Sequence, residues 1–246
     1  MKISKKEQDK VRANITKAFV ELVGEKGFRK TTLGAVAKQA GIGGSTIYNY
    51  FKSKEQILFA QSETMMLEAI GIFNKVKDLE SYNLQERLQL YFDMVLERYE
   101  KDRAFVIEAN EQISLTPFSF VAEIHELKAV FGKPINEALN AAIASGEIAS
   151  PPMQAFIESL IADYFYMLVY YWSNDKSKNQ TQSVQLSDLS LNFGVSLLKS
   201  GALNKGMDLL QFLLKRHMAG FAGLVSQLGP KSCGCTCDCH KEKHEG

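Results

Sequence analysis

Apolar residues recur along this chain at the three-to-four-residue interval of helices, and strand-like alternation is nowhere sustained. Near the start, Val11, Ile15, Ala18, Phe19, Leu22 and Val23 share one face. Lys5, Lys6, Lys10, Arg12 and Lys17 fall on the wetter sides, which predicts a helix from Ser4 to Glu25 closed by Gly24 and Gly27. Thr31 or Thr32 is placed to cap a second helix whose inner face is Leu33, Val36, Ala37 and Ala40. Gly41 turns the chain, Ile42 plugs the turn, and a third helix is expected over Gly44 to Phe51 with Ile47 and Phe51 buried. Ser53 to Gln56 reads as a capping box opening a fourth helix that runs to Phe73. Further helices are expected near 84–101, 103–115, 118–145 (where Pro134 favours a kink), 152–173, 184–200 and 205–228, with the polar run Ser173 to Ser183 as the clearest loop.

The segment Thr31 to Lys54 has a layout with mechanical meaning: a short helix, a glycine turn, then a second short helix carrying small polar and aromatic residues. That is a helix-turn-helix, whose second helix can enter the major groove of DNA. Charge supports it. The net charge of +1 conceals 12 Lys/Arg against 4 Asp/Glu in residues 1–54, and 17 against 24 in the remainder. A basic head on an acidic body is the asymmetry expected when one end meets polyphosphate.

The residues Gly27-Phe28, Thr32, Val36-Ala37, Ala40-Gly41-Ile42, Thr46-Ile47-Tyr48, Tyr50-Phe51 and Lys52-Ser53-Lys54-Glu55 together resemble the TetR/AcrR family of bacterial one-component regulators. The resemblance covers about the first quarter of the chain. It implies a homodimer with one head per subunit, bound to a near-palindromic double-stranded operator and released by a small-molecule effector. Thr32, Thr46, Tyr48, Tyr50 and Lys54 are the expected phosphate-contacting positions. Base reading falls to Ser45, Thr46 and Asn49, since Asn49 can pair bidentately with adenine. Gly44 belongs to the same DNA-facing set but has no side chain to read a base edge, and Gly43 brings no capping oxygen. The recognition surface is therefore lean, and DNA shape and the basic segment Lys2 to Arg12 are expected to help.

The body holds Met65, Met66, Phe73, Tyr91, Phe92, Met94, Phe105, Phe118, Phe120, Phe156, Tyr164, Tyr166, Met167 and Tyr170, most of them core. A subset is expected to line a cavity between helices, and the lack of a patterned internal charge cluster favours an apolar or amphipathic effector. The run Tyr164 to Trp172 is apolar all round and must be covered on every side. The family resemblance assigns that cover to a four-helix dimer interface, with a fully internal helix of a monomer as the alternative.

After Gly229-Pro230 the composition changes to a Cys/His-rich tail unable to build a core. Cys233, Cys235, Cys237, Cys239 and His240 supply soft ligands for Zn²⁺ or Cu(I), although C-x-C spacing fits a loose chelator better than a structural zinc site. No cofactor is required by the remaining sequence, and the tail is read as an exposed terminus that takes metal opportunistically.

The absence of any long apolar run argues against a membrane span, the charged N-terminus is unlike a secretory signal, and a reducing cytoplasm is expected. No nucleophile–base pair, phosphate loop or H-E-x-x-H pattern points to an enzyme.

The expected architecture is all-α: an N-terminal three-helix helix-turn-helix DNA-binding domain at 1–54, a larger helical ligand-binding and dimerisation domain at 55–229, and the tail at 230–246. The expected function is a ligand-responsive transcriptional repressor. The competing readings are a metal- or redox-responsive regulator acting through the tail, and a helical lipid- or cofactor-binding protein that has lost DNA binding.

Overall fold

The structure, a computed structural model, describes residues 4–115, 121–209 and 211–213. Among the described residues up to Leu203, eight α-helices form the framework: α1 (Lys5–Lys26), α2 (Leu33–Gln39), α3 (Lys54–Phe73), α4 (Leu84–Glu100), α5 (Arg103–Leu115), α6 (Val121–Ala144), α7 (Gln154–Asn174) and α8 (Thr181–Lys199). No strand occurs among the described residues. Residues up to Leu203 form one compact unit, and a second unit begins at Asn204; its described residues, 204–209 and 211–213, are helical.

Local chemistry sets the helix ends. Ser4 and Glu7 close a reciprocal capping box on α1, and Gly27 ends that helix at φ 82°, a conformation open to glycine at little cost. Of the two threonines that follow, Thr32 is the cap, its Oγ1 accepting the Ala35 N–H at 3.2 Å. Thr31 is buried and donates its hydroxyl to the Gly27 carbonyl. At α3, Ser53 Oγ accepts the Gln56 N–H, but the Gln56 side chain reaches back to the Lys52 N–H, one residue before the cap itself. The expected Ser173–Ser183 loop is much shorter, because α7 continues to Asn174 and α8 begins at Thr181.

In the body α3 packs on α4 and α6, while α7 packs on α6 and α8. The centre is aromatic: Phe131 stacks on Phe165 and Tyr91 with ring centres 4.4 and 4.9 Å away, and Phe92 meets Phe165 at 4.7 Å. Pro134 lies inside α6, which nevertheless runs unbroken. Tyr91 donates its hydroxyl to the Phe131 carbonyl in the neighbouring turn, and burial pushes that phenol well above its ordinary value, so it stays a neutral donor.

Glu147 joins three elements. Its carboxylate accepts the Leu84 N–H at the start of α4 and pairs with Lys199 at the end of α8.

Asp175 organises the α7–α8 turn by accepting the N–H groups of Ser177 and Ser183 and the Ser183 hydroxyl. Burial opposes its charge, but these donors outweigh it and hold the carboxyl well below the usual carboxylate range. Its folded pKa being depressed, Asp175 stabilises the protein above about pH 4, the unfolded value, and that contribution fades as pH falls through the folded pKa. Asp175→Ala is expected to cost about 1–3 kcal/mol in urea unfolding at neutral pH. The gap from the native protein should narrow below about pH 4.

Candidate nucleic-acid interface and internal cavity

Most of the positions expected to face DNA follow the turn after α2, with Thr32 at the start of that helix. The Ile42 N–H returns to the Ala37 carbonyl across Gly41, which sits at φ 69°. The segment expected to form a third α-helix over Gly44 to Phe51 is instead a single 3-10 turn, Thr46–Asn49, with one α-type bond from the Phe51 N–H to the Ile47 carbonyl. The reason is local. Gly43 and Gly44 offer no capping side chain and weak helix propensity, and the Ser45 hydroxyl makes no cap bond, so nothing extends the helix at its N-terminus.

Ile47 and Phe51 are buried, as anchors of the turn, which leaves Ser45, Tyr48 and Asn49 exposed and Thr46 and Tyr50 half-buried. Tyr50 packs on the core, whereas Tyr48 is 51% exposed, so the two rings have different surroundings. Thr32 is exposed at the start of α2. Gly44 is also exposed, and nothing lies within 4 Å of where a Cβ would be, so the fold does not demand glycine there. The exposed Arg12 lays its guanidinium over the Phe51 ring at 4.4 Å, which pins a cation of α1 beside this turn.

Lys54 is committed elsewhere in part. Its Nζ donates to the Phe28 carbonyl at 2.9 Å and the Thr31 carbonyl at 3.4 Å, and sits over the Phe28 ring at 4.2 Å. Its charge helps to hold the α1–α2 loop against α3. Lysine at a helix N-terminus gives no hint in sequence that its partners lie 26 and 23 residues away.

Between α3, α4, α5, α6 and α7 lies a small cavity of about 40 Å³. Ser62, Met65 and Met66 line it from α3, Tyr99 from α4, Phe105, Val106, Ala109, Asn110 and Ile113 from α5, Leu127 from α6, and Tyr166 and Val169 from α7. Its walls are apolar apart from a few convergent polar groups. One of these, the Tyr166 hydroxyl, is buried with no hydrogen-bond partner. Burial raises the Tyr166 phenol above its ordinary value, with Tyr99 and Asp163 adding to the effect, so it remains a neutral donor. Sequence placed Tyr166 among many aromatics, but its missing partner is a property of the packed structure alone.

The run Tyr164 to Trp172 divides by face. Phe165, Leu168, Val169 and Trp172 are buried, while Met167, Tyr170 and Tyr171 remain exposed. Phe156 and Leu160 extend this stripe along α7, and Val184, Leu189 and Phe193 lie exposed on α8. Met167 and Phe193 are 62% and 66% exposed.

Cys233, Cys235, Cys237, Cys239 and His240 lie outside the described residues, as does the predicted helix over most of 205–228. Among the described residues no group of three or more His, Cys, Asp or Glu could hold a metal ion, and no helix is long and apolar enough to cross a membrane.

Comparison with known proteins matches both regions. Residues 15–60 fit the model for bacterial regulatory proteins of the tetR family, and residues 87–213, just over half the chain, fit the tetracyclin repressor-like C-terminal domain. A fatty acid metabolism regulator protein of Bacillus subtilis (strain 168) is 28% identical over 137 residues, which span 54% of this chain and 69% of the relative. The crystal structure of FadR from Bacillus subtilis in complex with stearoyl-CoA superposes with a TM-score of 0.60 at 26% identity, covering 77% of this chain and 98% of that one. Thermus thermophilus FadR, in complex with lauroyl-CoA, shares the fold at a TM-score of 0.60 and 18% identity, over 74% of this chain and 94% of that one.

Lys54→Met keeps the aliphatic stem and removes the donors. It is expected to lower unfolding stability by about 1 kcal/mol, the worth of charged hydrogen bonds discounted for partial exposure. Urea titration followed by circular dichroism measures it.

Proposed function

This chain belongs to the TetR family of bacterial regulatory proteins, and we propose that it is a homodimeric repressor released from its operator by a long-chain acyl-CoA thioester. Its family makes it a DNA-binding, ligand-responsive transcription regulator rather than an enzyme. The observation that carries the finer reading is the apolar cavity with the buried, unpaired Tyr166 hydroxyl. An aliphatic chain matches the walls, and a carbonyl acceptor matches the hydroxyl. The Bacillus subtilis relatives, by their names, regulate fatty acid metabolism and bind stearoyl-CoA, which agrees with that chemistry.

At about 40 Å³ the cavity is far below the roughly 300–1,000 Å³ of a ligand pocket. The present conformation is thus closed, and a chain of many carbons enters only by parting the helices. Met65 and Met66 ease that change, because unbranched thioether side chains re-pack readily. A ligand that fits only the parted state shifts the population toward it.

The exposed stripe of α7 and α8 supports a second copy as its cover, since contiguous apolar faces of this kind mark interaction surfaces. A two-fold pair then carries two heads to successive half-sites of one DNA face. In that complex Thr32, Thr46, Tyr48, Tyr50 and the remaining donor capacity of Lys54 serve the phosphates. Ser45 and Asn49 read bases, and Gly44 lets the backbone come close.

Two measurements test this reading. Fluorescence anisotropy of a duplex selected from a random pool by the native protein is expected to show about tenfold or greater weakening on adding stearoyl-CoA, and none with coenzyme A alone. Equal DNA affinity with and without acyl-CoA of every chain length tried defeats the proposal. Tyr166→Phe should weaken stearoyl-CoA binding by about 0.5–1.5 kcal/mol while leaving the free protein as stable or more so, because an unsatisfied buried hydroxyl is removed. Tyr48→Phe should weaken DNA binding roughly five-fold with stability unchanged, as befits an exposed hydroxyl on a phosphate.

A further inference from the structure

Helix α5 has two working faces. One lines the cavity through Phe105, Val106, Ala109, Asn110 and Ile113. The other meets α1 and the loop that follows it. Phe105 packs edge-on against Phe19 with ring centres 6.1 Å apart, and Phe19 does the same with Phe28 at 6.1 Å. One turn further along α5, Glu108 Oε2 accepts the Phe28 N–H at 2.8 Å. The carboxylate lies so near Gly27 that an added Cβ there would sit 3.2 Å from Oε2, and Gly27 already holds φ 82°. Lys26, Arg29 and Lys30 on the loop side and Glu111 on the α5 side border the same junction, so cations of the head face acids of the body.

The peptide groups flanking Phe28 are therefore held from two sides. Glu108 of α5 takes its N–H, and Lys54 of α3 takes its carbonyl at 2.9 Å. Both helices also line the cavity, α3 through Ser62, Met65 and Met66. Parting α3 from α5 to admit a larger occupant must either break one of these bonds or drag Phe28, and with it the Thr32 cap of α2.

We propose that Glu108 is a positioning residue for DNA binding: its hydrogen bond to the Phe28 N–H transmits the width of the cavity to the α1–α2 loop and so to the DNA-facing elements. The carboxylate suits the task, because a charge-assisted bond to a backbone N–H is short and strong enough to move the loop rather than yield. Phe105 supplies the apolar half of the same link, touching both the cavity and Phe19. Coupling here is carried by discrete contacts between packed elements, which a double-mutant cycle can isolate.

The experiment fills the cavity from walls other than α5 and asks whether Glu108 is needed for the effect to be felt. Val169→Phe on α7 and, separately, Leu127→Phe on α6 are combined with Glu108→Ala in the full chain. Affinity is measured for a duplex selected from a random pool by the native protein. Each filling substitution is expected to weaken DNA binding by about tenfold when Glu108 is present and by no more than about threefold when it is alanine. Glu108→Gln, which keeps an acceptor oxygen at the same position, should restore most of the lost sensitivity. The Phe28 amide should exchange its hydrogen faster in the filled proteins, a readout that a general loss of stability spread over the head would not confine to that site. Equal weakening in both backgrounds, or no weakening with Glu108 in place, overturns the proposal. Should Val169→Phe fail to melt cooperatively, Leu127→Phe and the amide exchange decide alone. No small molecule enters the cycle, so its outcome is separate from that of the acyl-CoA reading.

Discussion

Phe28 is gripped at every group it owns. Its N–H is held by Glu108, its carbonyl by Lys54, and its ring lies between Phe19 and the Lys54 ammonium. The constraint behind this is size. A head of about fifty residues buries too little surface to be strongly stable by itself, and its small apolar set must be completed by neighbours. Here the neighbours are α3 and α5, and the residues up to Leu203 form one compact unit as a result. The DNA-facing elements are fixed to the body by a few directional bonds and a short row of aromatic rings. That is stiff enough to position Thr32 and the Thr46–Asn49 turn, and specific enough to respond when the body changes shape.

The body contains an opposing arrangement. Around Phe92, Phe131 and Phe165 the aromatic packing is dense. Toward the head the packing loosens into the cavity, where Tyr166 keeps a hydroxyl without a partner. An orphaned donor of this kind costs about 1–3 kcal/mol. On the proposed reading that cost is recovered when an acyl-CoA supplies the missing acceptor. If the proposed ligand parts the helices, the methionine-lined side is the one that can re-pack, because the aromatic layer is already tightly filled.

What sequence could show follows from how local each signal is. The faces of α1 and α2, the Ser53 cap and the bounds of α4 and α5 all arise from residues within a turn or two of one another, and periodicity exposes them, whereas the choice of Thr32 over Thr31 as the α2 cap needed the structure. The 3-10 form of Thr46–Asn49 was harder, because the spacing of Ile47 and Phe51 suggested a full helix while Gly43, Gly44 and Ser45 locally withheld the cap needed to start one. The Gln56 bond to Lys52 in place of Ser53 is a shift of one residue that no spacing rule resolves. Glu108 to Phe28 spans 80 residues, and nothing near Glu108 distinguishes it from the other acids of α4 and α5. Tyr166 is the extreme case, since its significance is the absence of a contact and only a packed interior defines that.

Selectivity for DNA has to be built from this inventory. The segregated charge, 12 cations against 4 anions in the first 54 residues, gives attraction that ignores sequence and weakens with salt. Arg12 on Phe51 adds a cation whose position is set by packing rather than left to diffuse. On the proposed reading base contacts are few, because Gly44 projects nothing and the space around it is empty rather than filled by a neighbour. The glycine is therefore not a steric necessity of the turn. Each good bidentate base contact discriminates by about 1–3 kcal/mol, so one or two side chains per head cannot supply large selectivity alone. In the proposed dimer a fixed distance between two heads multiplies what each contributes, since a second half-site counts only when it falls at the right spacing. In such a design the geometry of the α1–α2 loop carries as much information as the side chains on the DNA, and small movements at Phe28 matter more than they would in a head that reads many bases.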